Sequence, residues 1–385
     1  MNVLLLSPHF PPNFQRFSAA LKEAGANVLG IGDAPYDWLS GDLKAVLCDY
    51  CHLDNMAHYE GLLRAAAFLT YRHGKIDRVD SHNEHWLGLE AQLRQDFNVF
   101  GQKPADLEFN RRKSGMKEIF RQAGVPTPPG EAVRSAEQVR AFVARHGFPV
   151  IFKPDVGVGA ERVFRVDDEE QLAGVLAYPP QDYFVESFFA GSLVSFDGLT
   201  DREGGIVFCA SHRVSSGIME IVTEQRPVHY YYRRDIPPAV EDLGRKAVRA
   251  FRLHERFFHL EFLIGADDEC VALEINVRPP GGYSLDMMNW ACDIDLYRAW
   301  ARSLVCGESR FAYERKYNVA HVARRERFRY RRPHENVLRE LAPLLLAHMR
   351  FPKVFSLAMG DYVYFLRHPD LETLQAAIAY VEEQA

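Results

Sequence analysis

Long apolar runs are missing from this 385-residue chain. No stretch approaches the roughly 20 apolar residues that a bilayer-spanning helix needs, and the opening MNVLLLSPHF has no basic leader, so a cytoplasmic protein without a membrane span is expected. Cysteine is scarce: six in the whole chain do not make a disulfide framework. Cys48, Cys51 and His52 spell CxxCH, but haem attachment goes with export and zinc would want a second paired cluster, so chance spacing is the simpler reading. Excess positive charge is absent too. A formal net charge of -6 gives no general pull toward nucleic acid or acidic membranes. The one basic run, Arg324 to Arg332, alternates Arg325, Arg327, Arg329 and Arg331 with Glu326, Phe328 and Tyr330. That period predicts a half-solvated strand, with its aromatics on the face opposite the one an RNA-reading sheet would expose. The turn after the first strand, SPHFPPN, lacks the glycine fingerprint of a dinucleotide site.

What is present is enough apolar residue, 47%, for two or three packed domains. Strand Val3 to Leu6, helix Phe14 to Ala24 stopped by Gly25, and strand Asn27 to Ile31 open an α/β unit, and a strand near Asp77 to Asp80 leads into the helix start NEHWLGLEAQLR. Near residue 105 the pattern changes. Met116, Ile119, Phe120 and Ala123 form a helical stripe ending at Gly124 and Pro126, Ser135 and Gln138 have capping-box spacing, and a helix begins near Asp168. The expected divisions are 1–104, 105–187, 188–310 and 311–385, the last a mixture of strand and helix that caps the molecule.

The most informative stretch is FFHLEFLIGADDECVALEINVRPPGG. A symmetric even-length turn centred on Asp267 and Asp268 places Glu261 opposite Glu274. Alternation then puts Glu274, Asn276 and Arg278 on one face, with Ile275 and Val277 on the other. Opposed like charges at such spacing destabilise a sheet. A divalent cation offsets that, and two carboxylates with an amide carbonyl are a hard oxygen set suited to magnesium, whose remaining sites go to water or phosphate. Pro279, Pro280, Gly281 and Gly282 follow, with bare backbone that another molecule can approach.

A second stretch, FPVIFKPDVGVGAERVFRV, joins two strands through a loop holding Gly157 and Gly159. Such a loop can close its N–H groups over phosphates, with Lys153 at the strand end supplying an ammonium.

Taken in order, KSGMKEIFRQAGVPTP, FPVIFKPDVGVGA, YFVESFFAG, HLEF and LEINVRPPGG resemble the ATP-grasp superfamily, and within it the carboxylate-amine ligases. The resemblance covers roughly residues 77 to 310. It implies a Rossmann-like N-terminal domain, a two-lobed ATP-grasp module (small lobe 105–187, large lobe 188–310) and a C-terminal α+β cap. It assigns Lys113 and Lys153 to the ATP phosphates, the loop of Gly157 and Gly159 to a lid, and Glu186, Ser187 and Phe189 to adenine. Glu261, Glu274 and Asn276 become ligands of magnesium, with manganese as the alternative ion, and Arg278 sits beside the transferred phosphoryl group. Gly281 and Gly282 would offer amides to the acceptor carboxylate, and Tyr283, Asp286 and Trp290 would read the substrates, Asp286 meeting a free ammonium. His212, Arg213 and Glu220 are further candidates for that side. Leu193 departs from the family where a glutamate commonly contacts ribose, and Arg112 stands where an aspartate is common.

The implied activity joins a small carboxylate to an amine through an acylphosphate, releasing ADP and phosphate, in a protein with small-molecule partners that forms a homodimer. Alternatives are a nucleotide-binding regulatory protein without turnover and a kinase-like enzyme that stops at the phosphorylated acid.

Overall fold

The apolar runs near the N-terminus lie side by side as a parallel sheet. Strands β1 (Asn2–Leu6), β2 (Asn27–Gly32), β3 (Asp49–His52) and β4 (Arg78–Asp80) stand in the order β3-β2-β1-β4. The unbroken apolar character of β1 follows from burial on both faces. Leu4 and Leu6 meet the sheet's own helices, whereas Val3 and Leu5 join a core shared with the rest of the molecule. The computed structural model describes residues 1–157, 162–215, 228–351 and 359–385, together with Lys353 and Ser356.

A second sheet holds β5 (Gly130–Ala132), β6 (Val150–Pro154), β7 (Phe164–Val166) and β8 (Tyr183–Ser187) in the order β5-β8-β6-β7. Its flanking helices start at Ser135 and Asp168, whose side chains accept from Gln138 N and Gln171 N, caps each worth about 1 kcal/mol. The Ser135 box closes differently from the expected form, because the Gln138 side chain accepts from Arg134 N rather than Ser135 N.

The third sheet is antiparallel and eight-stranded, ordered β13-β12-β9-β10-β11-β14-β16-β15. Its strands are β9 (Ser192–Thr200), β10 (Ile206–Val214), β11 (Val228–Arg233), β12 (Phe257–Ile264), β13 (Cys270–Asn276), β14 (Asn318–Arg324), β15 (Leu345–Arg350) and β16 (Tyr362–His368). One face packs Phe196, Leu260 and Phe262 against the helix Pro238–Ala250 and the helix Lys113–Gln122. The other packs Leu199, Phe257 and Val319 against the helices Ser284–Cys292 and Leu296–Cys306. Strands of the C-terminal 75 residues enter this sheet through the ladder of β14 with β11.

The basic run corrects one expectation. β14 ends at Arg324 because its partner β16 begins at Tyr362, directly opposite. Beyond it Phe328 N returns to Arg325 O at 3.1 Å, and Arg325 is 4% exposed. The alternating arginines therefore ride on a turn, not on a half-solvated strand.

Candidate active site

Glu261 pairs with Glu274 across β12 and β13, and His259 pairs with Asn276. The route to that register differs from the symmetric turn. Ile264 pairs with Cys270, one residue off the expected pairing, and a bulge at Leu273 restores the alignment before Glu274 is reached. Ile275 and Val277 are fully buried on the apolar side, as alternation requires. Asn276 donates its amide N–H to Glu274 at 3.3 Å. Burial first, and then the facing charge of Glu261, push the Glu274 carboxyl up, with Lys113 opposing at 3.9 Å.

Glu261 behaves in the opposite way. Burial would raise it, but a hydrogen bond from His259 Nε2 at 3.2 Å holds it low. That imidazole would be lowered by burial, yet Asp197, 2.6 Å from its Nδ1, together with Glu261 carries it up to about 10. His259 is thus a buried imidazolium between two carboxylates. Asp197, with no exposed surface, also accepts from Ser195 Oγ at 2.7 Å and Tyr232 OH at 2.8 Å, and lies 3.0 Å from His212 Nδ1. The i−2 spacing of His259 from Glu261 on one strand is the sequence signal that could have found it.

The lysines come from two elements, the helix Lys113–Gln122 and β6. The helix Lys113–Gln122 starts against the glycine loop, where Asp155 accepts from Ser114 N at 2.8 Å and from Ser114 Oγ at 2.9 Å, and Lys113 N bonds Asp155 O. Lys113 Nζ reaches Gly157 O at 3.3 Å. Lys153, at the end of β6, pairs with Glu186 on β8. The other oxygen of Glu186 is 2.9 Å from Lys117, a residue that sequence reading passed over. Lys117 is 2% exposed and donates to Thr127 Oγ1 at 2.6 Å. Burial lowers this lysine to about 8 despite Glu186. Glu186 would be raised by burial, but the two ammoniums bring it to about 2. The signal for Lys117 was its i+4 position from Lys113 on one helix face. Ser187 ends β8, its N bonding Pro129 O at 2.9 Å, and Phe189 lies in the connection to β9. Leu193 sits in β9 opposite Leu263. Gly159 and Glu220 lie outside the described residues.

Arg278 turns its Nε to Glu84 Oε2 at 3.2 Å and an Nη to Pro279 O at 2.9 Å. Glu84 belongs to the N-terminal unit and was not anticipated. Gly282 has φ +64°, the left-handed region that favours glycine, and its carbonyl accepts from Asn13 Nδ2 at 3.0 Å. Three substrate-side expectations are corrected. Asp286 is 3% exposed and held by Arg16, by Asn13 Nδ2 at 3.2 Å and by Tyr297 OH at 3.2 Å, so its charge is already answered inside the protein. Trp290, partly buried, packs edge-on to Phe365 against the core at 5.2 Å between ring centres. Arg213 points to the far face of the sheet and donates to Ser192 Oγ at 2.9 Å. Tyr283 rests on Phe351 and Phe365. Among the described residues no group of three or more His, Cys, Asp or Glu is placed to hold a metal, Cys48, Cys51 and His52 included. Nor is any described helix long and apolar enough to cross a membrane.

The arrangement can be set against known proteins. Residues 112–189 match the family model of the carbamoyl-phosphate synthase L chain, ATP binding domain. The L-amino acid ligase from Bacillus licheniformis superposes with a TM-score of 0.75 at 15% identity, over 99% of this chain and 96% of that one. The chain has the ATP-grasp fold. A second ATP-grasp structure, the biotin carboxylase domain of the Hydrogenobacter thermophilus 2-oxoglutarate carboxylase with MgADP, ADP and bicarbonate, gives 0.70 at 16% identity over 98% of this chain and 89% of that one. By sequence, the uncharacterized protein y4rH of Sinorhizobium fredii is 24% identical over 289 residues, 70% of this chain. The chain spans 56% of the length of that relative.

Proposed function

We propose that the protein is an ATP-dependent ligase that joins a small carboxylate to an amine and releases ADP and phosphate. The observation that carries this reading is the facing pair Glu261 and Glu274, with Lys113 3.9 Å from Glu274 and Arg278 four residues beyond it, in an ATP-grasp fold. The donor set suits magnesium: two carboxylates and an amide, with the Glu274 carboxyl pushed up first by burial and then by the facing charge of Glu261. Magnesium bound by Glu261, Glu274 and Asn276 would supply charge neutralisation for the β and γ phosphates. A neighbour solved with MgADP favours that ion over manganese.

The chain's own residues do the positioning. Glu186, fully charged between Lys117 and Lys153, is an acceptor for the exocyclic amine of adenine, with Ser187 and Phe189 offering main chain beside it. Lys113 and Lys153 hold phosphates beside Gly157. The substrate carboxylate attacks the γ phosphorus, and Arg278, held by Glu84, stabilises the charge that develops. The acylphosphate is then open to the amine near Gly281, Gly282 and Tyr283. In this reading 1–104 borders the acceptor, 105–187 and 188–310 enclose the nucleotide, and 311–385 backs the large sheet.

The test is an ADP-release screen over amino acids and small carboxylates with and without an amine, followed by mass spectrometry. ADP release that requires both partners supports the ligase. A stable phosphorylated acid replaces it with a kinase-like enzyme, and ATP binding without turnover across the panel replaces it with a nucleotide sensor.

A further inference from the structure

One face of the large sheet carries, beyond Glu261, polar side chains with no place in the phosphate chemistry. Reading across neighbouring strands, Glu261 (β12) pairs with Ser195 (β9), whose Oγ meets His212 (β10), and His212 pairs with Tyr232 (β11); Asp197 and Tyr230 stand two residues along from Ser195 and Tyr232 on the same face. Tyr230 borders the acceptor end, its hydroxyl 3.6 Å from the point a Cβ on Gly282 would occupy. His212 therefore lies between the carboxylate pair and the glycine pair. Its Nδ1 is fixed by Asp197 Oδ2 at 3.0 Å and Ser195 Oγ at 2.7 Å, and its backbone N–H also bonds Ser195 Oγ at 3.0 Å. His259 stacks parallel to it at 5.7 Å between ring centres, and the rings of Tyr230 and Tyr232 close it in from β11 at 5.5 and 5.1 Å.

A carboxylate that binds one imidazole nitrogen sets the tautomer and leaves the other nitrogen as the acceptor. Asp197 does this for His212, whose remaining nitrogen, Nε2, belongs to a ring that is 8% exposed on the face shared with Glu261 and Tyr230.

We propose, on the ligase reading above, that His212 is the general base for the amine, with Asp197 and Ser195 as its positioning residues. The amine nitrogen attacks the carbonyl of the acylphosphate, the C–N bond forms, and the C–O bond to phosphate breaks with its electron pair leaving on phosphate. The proton lost from nitrogen goes to His212 Nε2 and then to the departing phosphate or solvent. Such a base contributes about 10²- to 10⁴-fold to rate. It serves the second half of the reaction alone.

The experiment separates the two halves. Wild type and His212→Asn are given ATP, magnesium, each standard L-amino acid as the acid, and either hydroxylamine or L-alanine as the amine. Hydroxylamine is unprotonated at neutral pH and a stronger nucleophile, so it captures an acylphosphate with less help. In H212N the amide should fall by 100-fold or more, and the ratio of hydroxamate to amide should rise at least tenfold. Thermal melting checks the fold, and His212→Gln replaces the variant if it is unstable. Equal loss of hydroxamate and amide overturns the role of His212 alone. Absence of hydroxamate from the wild-type protein overturns the ligase reading itself and the proposal with it.

Discussion

Two buried clusters of carboxylates lie close together on this molecule, and they are built to opposite rules. At the junction of the N-terminal sheet and β12, Asp80 and Glu90 meet two guanidiniums: Arg256 binds both at 2.8 Å, and Arg94 binds Glu90 at 2.7 Å. Arg256 also donates to Val277 O at 2.8 Å, which braces the strand leading to Arg278. Acids and bases balance there, and Glu90 has no exposed surface. On the sheet face nearby, Asp197, Glu261 and Glu274 share one imidazolium and a lysine 3.9 Å away. That cluster is short of positive charge, and the side chains of Glu261 and Glu274 keep 14% and 24% of their exposure. A closed cluster holds the fold, while an open one keeps an excess of negative charge that a cation can neutralise.

The largest expected effect comes from opening the closed cluster. Arg256→Met leaves two buried carboxylates short of a partner and should lower stability by about 3–5 kcal/mol, read as a lower urea midpoint. An unchanged midpoint would remove the distinction between the clusters. Glu274→Gln acts on the open one and should have the reverse signature. ADP release should fall on the order of 10²- to 10³-fold, about 3–4 kcal/mol in the barrier. Stability without magnesium should hold or rise, because the carboxyl is pushed up by burial and by Glu261, so its charge works against the fold. Magnesium should raise the melting temperature of the wild type and not of this variant.

Two smaller effects sharpen the contrast. Glu186 is lowered to about 2 from 4.5, so its contribution is present above 4.5 and lost as pH falls toward 2. Lys117→Met should cost about 2 kcal/mol and move the onset of acid unfolding to higher pH, followed by circular dichroism. An unmoved onset would mean that Lys153 alone holds Glu186. Last, Glu84→Gln keeps the shape of the contact to Arg278 and removes its charge. It should lower kcat about fivefold, roughly 1 kcal/mol, with KM for ATP unchanged.

How much of this was legible depends on the range of each contact. The alternation of Glu274, Asn276 and Arg278 with Ile275 and Val277 is a local property of a strand, and it holds. The opposition of Glu261 and Glu274 was reached through a symmetric turn that does not form. The loop is offset by one residue and Leu273 bulges by one, and the two shifts cancel. Sequence reading sees the sum of such shifts and not the parts. The helix stripe of Met116 and Phe120 and the caps at Ser135 and Asp168 were equally local. The arginine alternation after Arg324 had the right period for a strand, but a strand also needs a partner, and β16 has none to offer there.

The order of residue types along the chain, by itself, determined which side chains share a strand face or a helix face, because backbone geometry repeats every two or 3.6 residues regardless of the remainder. Tertiary structure alone decided that Arg16 consumes the charge of Asp286, that Glu84 reaches Arg278 and that Lys117 meets Glu186. Those partners lie 270, 194 and 69 positions apart, counted along the numbering of the chain. No local period links residues so distant, and the free energy that joins them exists only once three sheets have packed and excluded water between them.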